Sequence, residues 1–166
     1  MKNKNKNRTF RFNRRIRQET NYKKRLNLLK SNLVRIVIRK SNNNTAVQFV
    51  KSDVANDTIL GGAKSNNLIK LGSKIHTGNI VSAYLCGYLA GKRFLAKNSD
   101  KTDCILDIGL NKKIYGTRIY SALKGVVDSG VVVRHSQVVF PTEERLNGEH
   151  LKSKTDSKTI DEIKAK

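Results

Sequence analysis

The chain has 166 residues and carries 34 Lys and Arg against 13 Asp and Glu, a formal charge of +21, which suits one domain with tails and a polyanionic partner. No apolar run approaches the roughly 20 residues of a membrane-spanning helix, and no apolar stretch follows the basic start as a secretory signal requires. Lys2 and Asn3 stand where a myristoylation signal needs glycine, so nucleic acid rather than a membrane is the expected partner. Cys86 and Cys104 lie in apolar surroundings without paired spacing, the pattern of buried free thiols in a reducing cytosol. His76, His135 and His150 are isolated, so neither a metal site nor a cofactor is expected.

The first forty residues hold fifteen Lys and Arg against the single acid Glu19, a net +14. Clustered like charge destabilises a compact state, so residues 1–19 read as a basic arm that is disordered alone. Thr20 is placed to cap a helix over 21–30, with Tyr22, Leu26 and Leu29 on its packed side and Lys23, Lys24 and Arg25 on the other.

Residues 33–39 alternate as a strand, Val34, Ile36 and Ile38 on one face and Leu33, Arg35, Val37 and Arg39 on the other. The polar turn 40–44 predicts an antiparallel return over 45–51, and 58–62 follows as a short third strand. Three adjacent strands before any long helix oppose a simple doubly wound pattern. A short helix is expected over 66–71. Asn79 is placed to cap the longest one, 80–96, whose middle is small or apolar on nearly every side, with Gly87 and Gly91 packing against a sheet.

The run 104–109, apolar except for Asp107, has the pattern of a central strand. Thr117 caps a helix with the stripe Ile119, Ala122, Leu123, Val126 and Val127, which Gly130 ends. Residues 131–133 read as a last strand, and Pro141 precedes a polar helix over 142–151. The chain is thus an α/β domain with a mixed sheet, over 20–152, between the arm and a polar tail over 153–166.

Six segments together resemble a known family: "RRIRQETNYKKRLNLL", "LVRIVIRKSN", "TGNIVSAYLCGYLAGKR", "LDIGL", "GTRIYSALKGVVDSG" and "HSQVVFPTEERLNGEHL". In this order they look like the archaeal form of the universal large-subunit ribosomal protein, family eighteen, which binds 5S rRNA. The resemblance covers residues 8–152. It implies a three-layer fold of ribonuclease-H-like type and a cytoplasmic place in the central protuberance of the large subunit. The implied partners are 5S rRNA, the large-subunit rRNA and neighbouring protuberance proteins. The sequence departs from the family's pattern in residues 1–7, and at Asn21, where an aspartate is usual.

The expected chemistry is binding. Lys and Arg neutralise phosphates and release condensed counterions, and Arg adds planar bidentate geometry. Arg8, Arg11, Arg14, Arg15 and Arg17 form the arm's candidates, and Tyr22, Lys23, Lys24 and Arg25 those of the helix. Phe10, Phe12 and Tyr22 interleave the charges, either to stack on bases or to dock the arm on its own domain. The resemblance adds Arg39, Lys40, Ser41 and Asn42 at the first hairpin. Thr77, Gly78 and Asn79 open the long helix, where phosphate binding and simple capping explain them equally. Asn111, Lys112 and Lys113 follow the central strand, where a solvated loop is the better reading and added phosphate contacts the other. A basic RNA-binding factor outside the ribosome is the alternative reading. A nuclease would need carboxylates converging on a metal pair, and Asp107 with Asp103 and Asp128 forms no such motif, so Asp107 is expected to be a hydrogen-bonded structural residue and the protein no enzyme.

Overall fold

Alternation of Val34, Ile36 and Ile38 with Arg35, Val37 and Arg39 builds β1 (Val34–Lys40), around which the sheet forms in the computed structural model. The structure describes residues 10–53, 56–73, 75–98, 103–149 and 151. The Ser41–Asn44 turn, closed by the Ser41 N–H donating to the Asn44 carbonyl at 2.8 Å, returns the chain as β2 (Thr45–Ser52), antiparallel to β1. β3 (Asp57–Lys64) continues antiparallel on the far side of β2 and is longer than the five residues the sequence suggests. β4 (Cys104–Asp107) joins β1 in parallel, so the mixed sheet has the order β3-β2-β1-β4. The run expected to be a central strand thus stands at the end of the ladder, apolar because α-helical packing and a single bridge to Val133 cover it.

Residues 131–133 do not form the expected last strand. They contribute one parallel bridge, Cys104 to Val133, beside a Cys104 N–H bond to the Val132 carbonyl at 3.0 Å. The Val133 carbonyl meets the His135 ring nitrogen at 2.7 Å instead of extending a ladder. The strand at 104–109 also stops early, at Asp107, because Gly109 takes a positive φ of 63° and turns the chain.

One face of the sheet carries the core. Two helices, α4 (Ile80–Lys97) and α5 (Arg118–Asp128), cover Ile36, Ile38, Val47 and Phe49, and the Phe94 ring stacks on Phe49 at 4.2 Å between centroids. Asn79 caps α4 as its sequence predicts, its side chain accepting the Ser82 N–H at 2.7 Å. Thr117 occupies the N-cap position of α5 but its hydroxyl donates to the Ile114 carbonyl.

Gly87 and Gly91 do not face the sheet. A Cβ on Gly87 would fall on the Ala122 carbonyl, one on Gly91 on the Ser129 side chain, and one on Gly125 of α5 on the Tyr84 carbonyl. The small faces thus serve the contact between the two helices, while α4 presents Phe94 to the sheet. There the close approach comes from the strand: a Cβ on Gly61 of β3 would lie 3.2 Å from the Phe94 Cα.

A second, smaller cluster joins Leu68 of α3 (Asn66–Lys70), Val81, Tyr84 and Leu85 of α4, and Leu146 of α6 (Glu143–Asn147). α6 is shorter than the 142–151 the sequence suggests, because Gly148 ends it in the left-handed region at φ 80°. A 3-10 turn, Gln137–Val139, precedes it where no helix was expected. Cys86 and Cys104 are free and buried, and burial pushes their thiols up to about 12 and about 11, so both stay protonated at neutral pH. The tail over 153–166 lies outside the described residues.

Candidate nucleic-acid interface

The other face of the sheet is polar. Arg35 projects there from β1 and is only 3% exposed. Its guanidinium donates to Asp57 at 2.9 Å, to the Ser52 hydroxyl at 2.8 Å and to Asp107 at 3.4 Å. Arg39, further along the same strand, donates to the Asp107 carbonyl at 2.8 Å and its carboxylate at 3.3 Å. The Gly109 N–H donates to the same carboxylate at 2.8 Å. Burying a guanidinium is tolerable only with such partners.

This lattice draws α2 (Tyr22–Leu29) onto the sheet by an unexpected side. Lys24 Nζ donates to the Gly109 carbonyl at 2.8 Å, and Arg25 pairs with Asp57 at 2.8 Å. Leu26, expected to be packed, is 54% exposed. The cap also differs: the Asn21 side chain accepts the Lys24 N–H at 3.0 Å, whereas Thr20 accepts from Arg14 Nε. Asn21 therefore keeps the capping oxygen an aspartate would supply.

Asp57 couples the three elements. Burial raises its carboxyl, but the Ser52 hydroxyl and the guanidinium groups of Arg35 and Arg25 outweigh it, and the net shift is downward from 3.8. A carboxylate held below its unfolded value contributes stability that is full above that value and is lost as pH falls through the native one. Asp57→Asn should therefore flatten the acid limb of the stability curve below about pH 4, measured by urea melts at stepped pH.

Above the lattice lies the arm. Residues 13–16 form one helical turn, α1 (Asn13–Ile16), in a stretch the sequence leaves unstructured, and none of its residues is buried. Arg11, Arg15, Arg17 and Lys23 are exposed and have no ion-pair partner among the described residues. Arg14 meets Glu19 at 3.6 Å, both exposed, a pairing worth little. A cleft of about 270 Å³ opens between arm and domain, lined by Arg14, Thr20, Asn21, Lys24, Arg39 and Asn111. The Phe12 ring stands 5.3 Å from Tyr22, so these aromatics dock the arm on α2, whereas Phe10 is 97% exposed. Arg8 lies outside the described residues. Lys112 and Lys113 are exposed after β4, while Asn111 folds inward to the Ile108 carbonyl.

A second basic region forms where the β1–β2 turn meets the start of α4. The Thr77 hydroxyl donates to the Asn43 carbonyl, and a Cβ on Gly78 would lie 2.7 Å from the Asn42 carbonyl. Arg118, the first residue of α5, donates from Nη1 to the carbonyls of Asn42 at 3.2 Å and Gly78 at 2.8 Å. Two candidate segments far apart in sequence thus share one surface. Lys40 and Asn42 are exposed on it, Ser41 is engaged in its own turn with Asn44, and Asn79 in its cap. Sequence reasoning passed over Arg118. The available signal was its sign: a cation in a helix's first turn opposes the dipole and needs another reason to be there.

Asp107 is held by two guanidinium groups and an N–H. Asp128 accepts the Tyr84 hydroxyl at 2.9 Å and Lys124 at 3.0 Å, and Asp103 is exposed at the opposite end of β4. Among the described residues no group of three His, Cys, Asp or Glu could hold a metal, and no helix is long and apolar enough to cross a membrane.

A family model described as ribosomal large subunit proteins 60S L5 and 50S L18 matches residues 6–103 and 97–136. The large ribosomal subunit protein uL18 of Methanococcoides burtonii is 41% identical over 152 residues, 92% of this chain and 87% of that protein. Those of Korarchaeum cryptofilum and Methanothrix thermoacetophila are 44% and 40% identical, over 86% and 93% of this chain and 72% and 90% of theirs.

Proposed function

This chain belongs to the family of ribosomal large-subunit proteins 60S L5 and 50S L18, and from that premise we propose that it binds 5S rRNA and helps anchor it to the large-subunit rRNA. A large-subunit ribosomal protein works in the cytoplasm within an RNA–protein complex; the finer reading sets this one in the central protuberance, beside other protuberance proteins. Residues 1–19 act as the RNA-embedded arm, 20–152 as the domain that presents its surface to 5S rRNA, and 153–166 as a polar tail. The domain is of ribonuclease-H-like type, for which the antiparallel β3-β2-β1 set extended in parallel by β4 speaks. Its role is binding rather than catalysis, since the Asp107 carboxylate is already occupied by Arg35 and Arg39.

One observation carries the reading: Arg11, Arg15, Arg17 and Lys23 stand exposed without protein counter-charges among the described residues, while Lys24, Arg25 and Arg39 are held by the domain. The first group supplies phosphate contacts, and the second fixes the platform beneath them. Tyr22 and Phe12 hold arm and helix together, and Lys40, Ser41, Asn42, Thr77, Gly78 and Asn79 form the domain's own RNA surface.

The test compares 5S rRNA with a length-matched unrelated structured RNA over a series of salt concentrations. Preference for 5S rRNA at physiological salt is expected, and equal affinity would refute the specific partner. Deleting residues 1–19 should lower the salt slope by about one unit for each phosphate the arm neutralises. An unchanged slope would refute the role of the arm.

A further inference from the structure

The geometry points to Arg118 as a phosphate-binding residue that the assembled turn and helix start hold ready for an RNA backbone. This rests on the proposed RNA-binding role, and adds a residue and a contact geometry to it. Nη1 of Arg118 donates to both the Asn42 and the Gly78 carbonyls, which commits that nitrogen to the protein. Nε and Nη2 donate to no described residue, and the side chain is half-buried rather than covered. A guanidinium anchored through one nitrogen leaves its opposite edge, Nε–H with Nη2–H, as a planar fork of the spacing that two phosphate oxygens accept.

The anchoring matters because a free arginine loses rotamer entropy on binding, and one already fixed by two carbonyls has given up most of it beforehand. The surroundings agree in sign. Lys40 is exposed at the same turn, and Asn42 and Asn43 are exposed beside it. The His76 Nδ1 accepts the Gly78 N–H at 3.1 Å, which leaves the proton of the neutral ring on the outer nitrogen as a further donor. Among the described residues no carboxylate pairs with Arg118. The same two bonds give the residue a fastening role, since they join the β1–β2 turn to the start of α4.

Fastening and phosphate binding separate in the salt dependence. With the full chain and 5S rRNA, Arg118→Gln should bind roughly tenfold more weakly, as for removal of a charge-assisted bond, and lower the salt slope by about one unit. Arg118→Lys restores a charge without the fork, so the slope should return while affinity recovers only in part. Gly78→Ala pushes the turn away from the helix start without removing charge, and should weaken binding at unchanged slope. A slope for Arg118→Gln equal to that of the parent overturns the proposal, whatever the affinity. Phosphate contacts are read on any RNA, so the slope comparison repeated on the unrelated RNA stands even if preference for 5S rRNA fails. Should Arg118→Gln melt below the assay temperature, the Lys variant decides by its affinity: parental affinity in Arg118→Lys, with native melting, also overturns the proposal, because the planar fork would then contribute nothing.

Discussion

Gly87→Ala is expected to destabilise the fold by about 2 kcal/mol, and Gly87→Val by roughly 3 kcal/mol or more, although alanine in an exposed helix would gain close to 1 kcal/mol over glycine. The reason is reciprocal contact. The added carbon would fall on the Ala122 carbonyl and lie 2.8 Å from its carbon, while Gly125 on the partner helix already lets its backbone meet Tyr84. Neither obstacle is a side chain that can rotate away, so relief requires α4 and α5 to separate. Separation loosens Ile119, Leu123 and Val126 from the sheet, because the same helices cover it. Against a total stability of about 5–15 kcal/mol such a loss is large.

Gly91→Ala supplies the comparison. There the nearest obstacle is the Ser129 side chain, and Gly91→Ala combined with Ser129→Ala should recover part of the stability, whereas no side-chain truncation rescues Gly87→Ala. Urea melts of the full chain read all of these. A Gly87→Ala protein as stable as the parent would show that the helices do not touch through this face.

The partner of that face was not legible in the sequence. Gly87 and Gly91 lie on a helix apolar nearly all round, so burial follows from composition, but composition does not say which neighbour claims which side. The choice is made by Phe94 and Phe49, whose stacking turns the bulky side of α4 toward the sheet. Strands β1 and β2 were legible to within a residue because alternation has a period only a strand satisfies. Residues 131–133 show the limit of the same signal: three valines have strand propensity, but pairing needs a free edge and a continuing ladder.

The polar face was harder to read than the apolar one. A helix pattern of Tyr22, Leu26 and Leu29 gives a packed side only if an apolar surface waits for it. Here the surface is a lattice of Arg35, Arg39, Asp57 and Asp107, so α2 docks by Lys24 and Arg25, and Leu26 turns outward. Local periodicity could not reveal this, since the carboxylates come from β3 and β4, distant in sequence from the helix they hold. The exposed arm cations, by contrast, were legible because their excess has too little acid nearby in sequence to absorb it.

Asp107→Ala should lower stability by about 3 kcal/mol, the low end for breaking a buried ion pair, since Arg35 keeps Asp57 and Ser52. The carboxylate holds three donors at once: Arg35, Arg39 and the Gly109 N–H. Its removal leaves a guanidinium that is 3% exposed short of one counter-charge, and frees the turn at Gly109 whose carbonyl receives Lys24. A drop in melting temperature of roughly 6–12 °C follows for a chain of this size. Asp107→Asn should be milder, because the amide oxygen still accepts the Gly109 N–H. The decisive comparison is the double variant Arg35→Met with Asp107→Ala. Removing the stranded charge along with its partner should make the pair less harmful than the sum of the two single changes. Strict additivity would mean that Arg35 and Asp107 act independently.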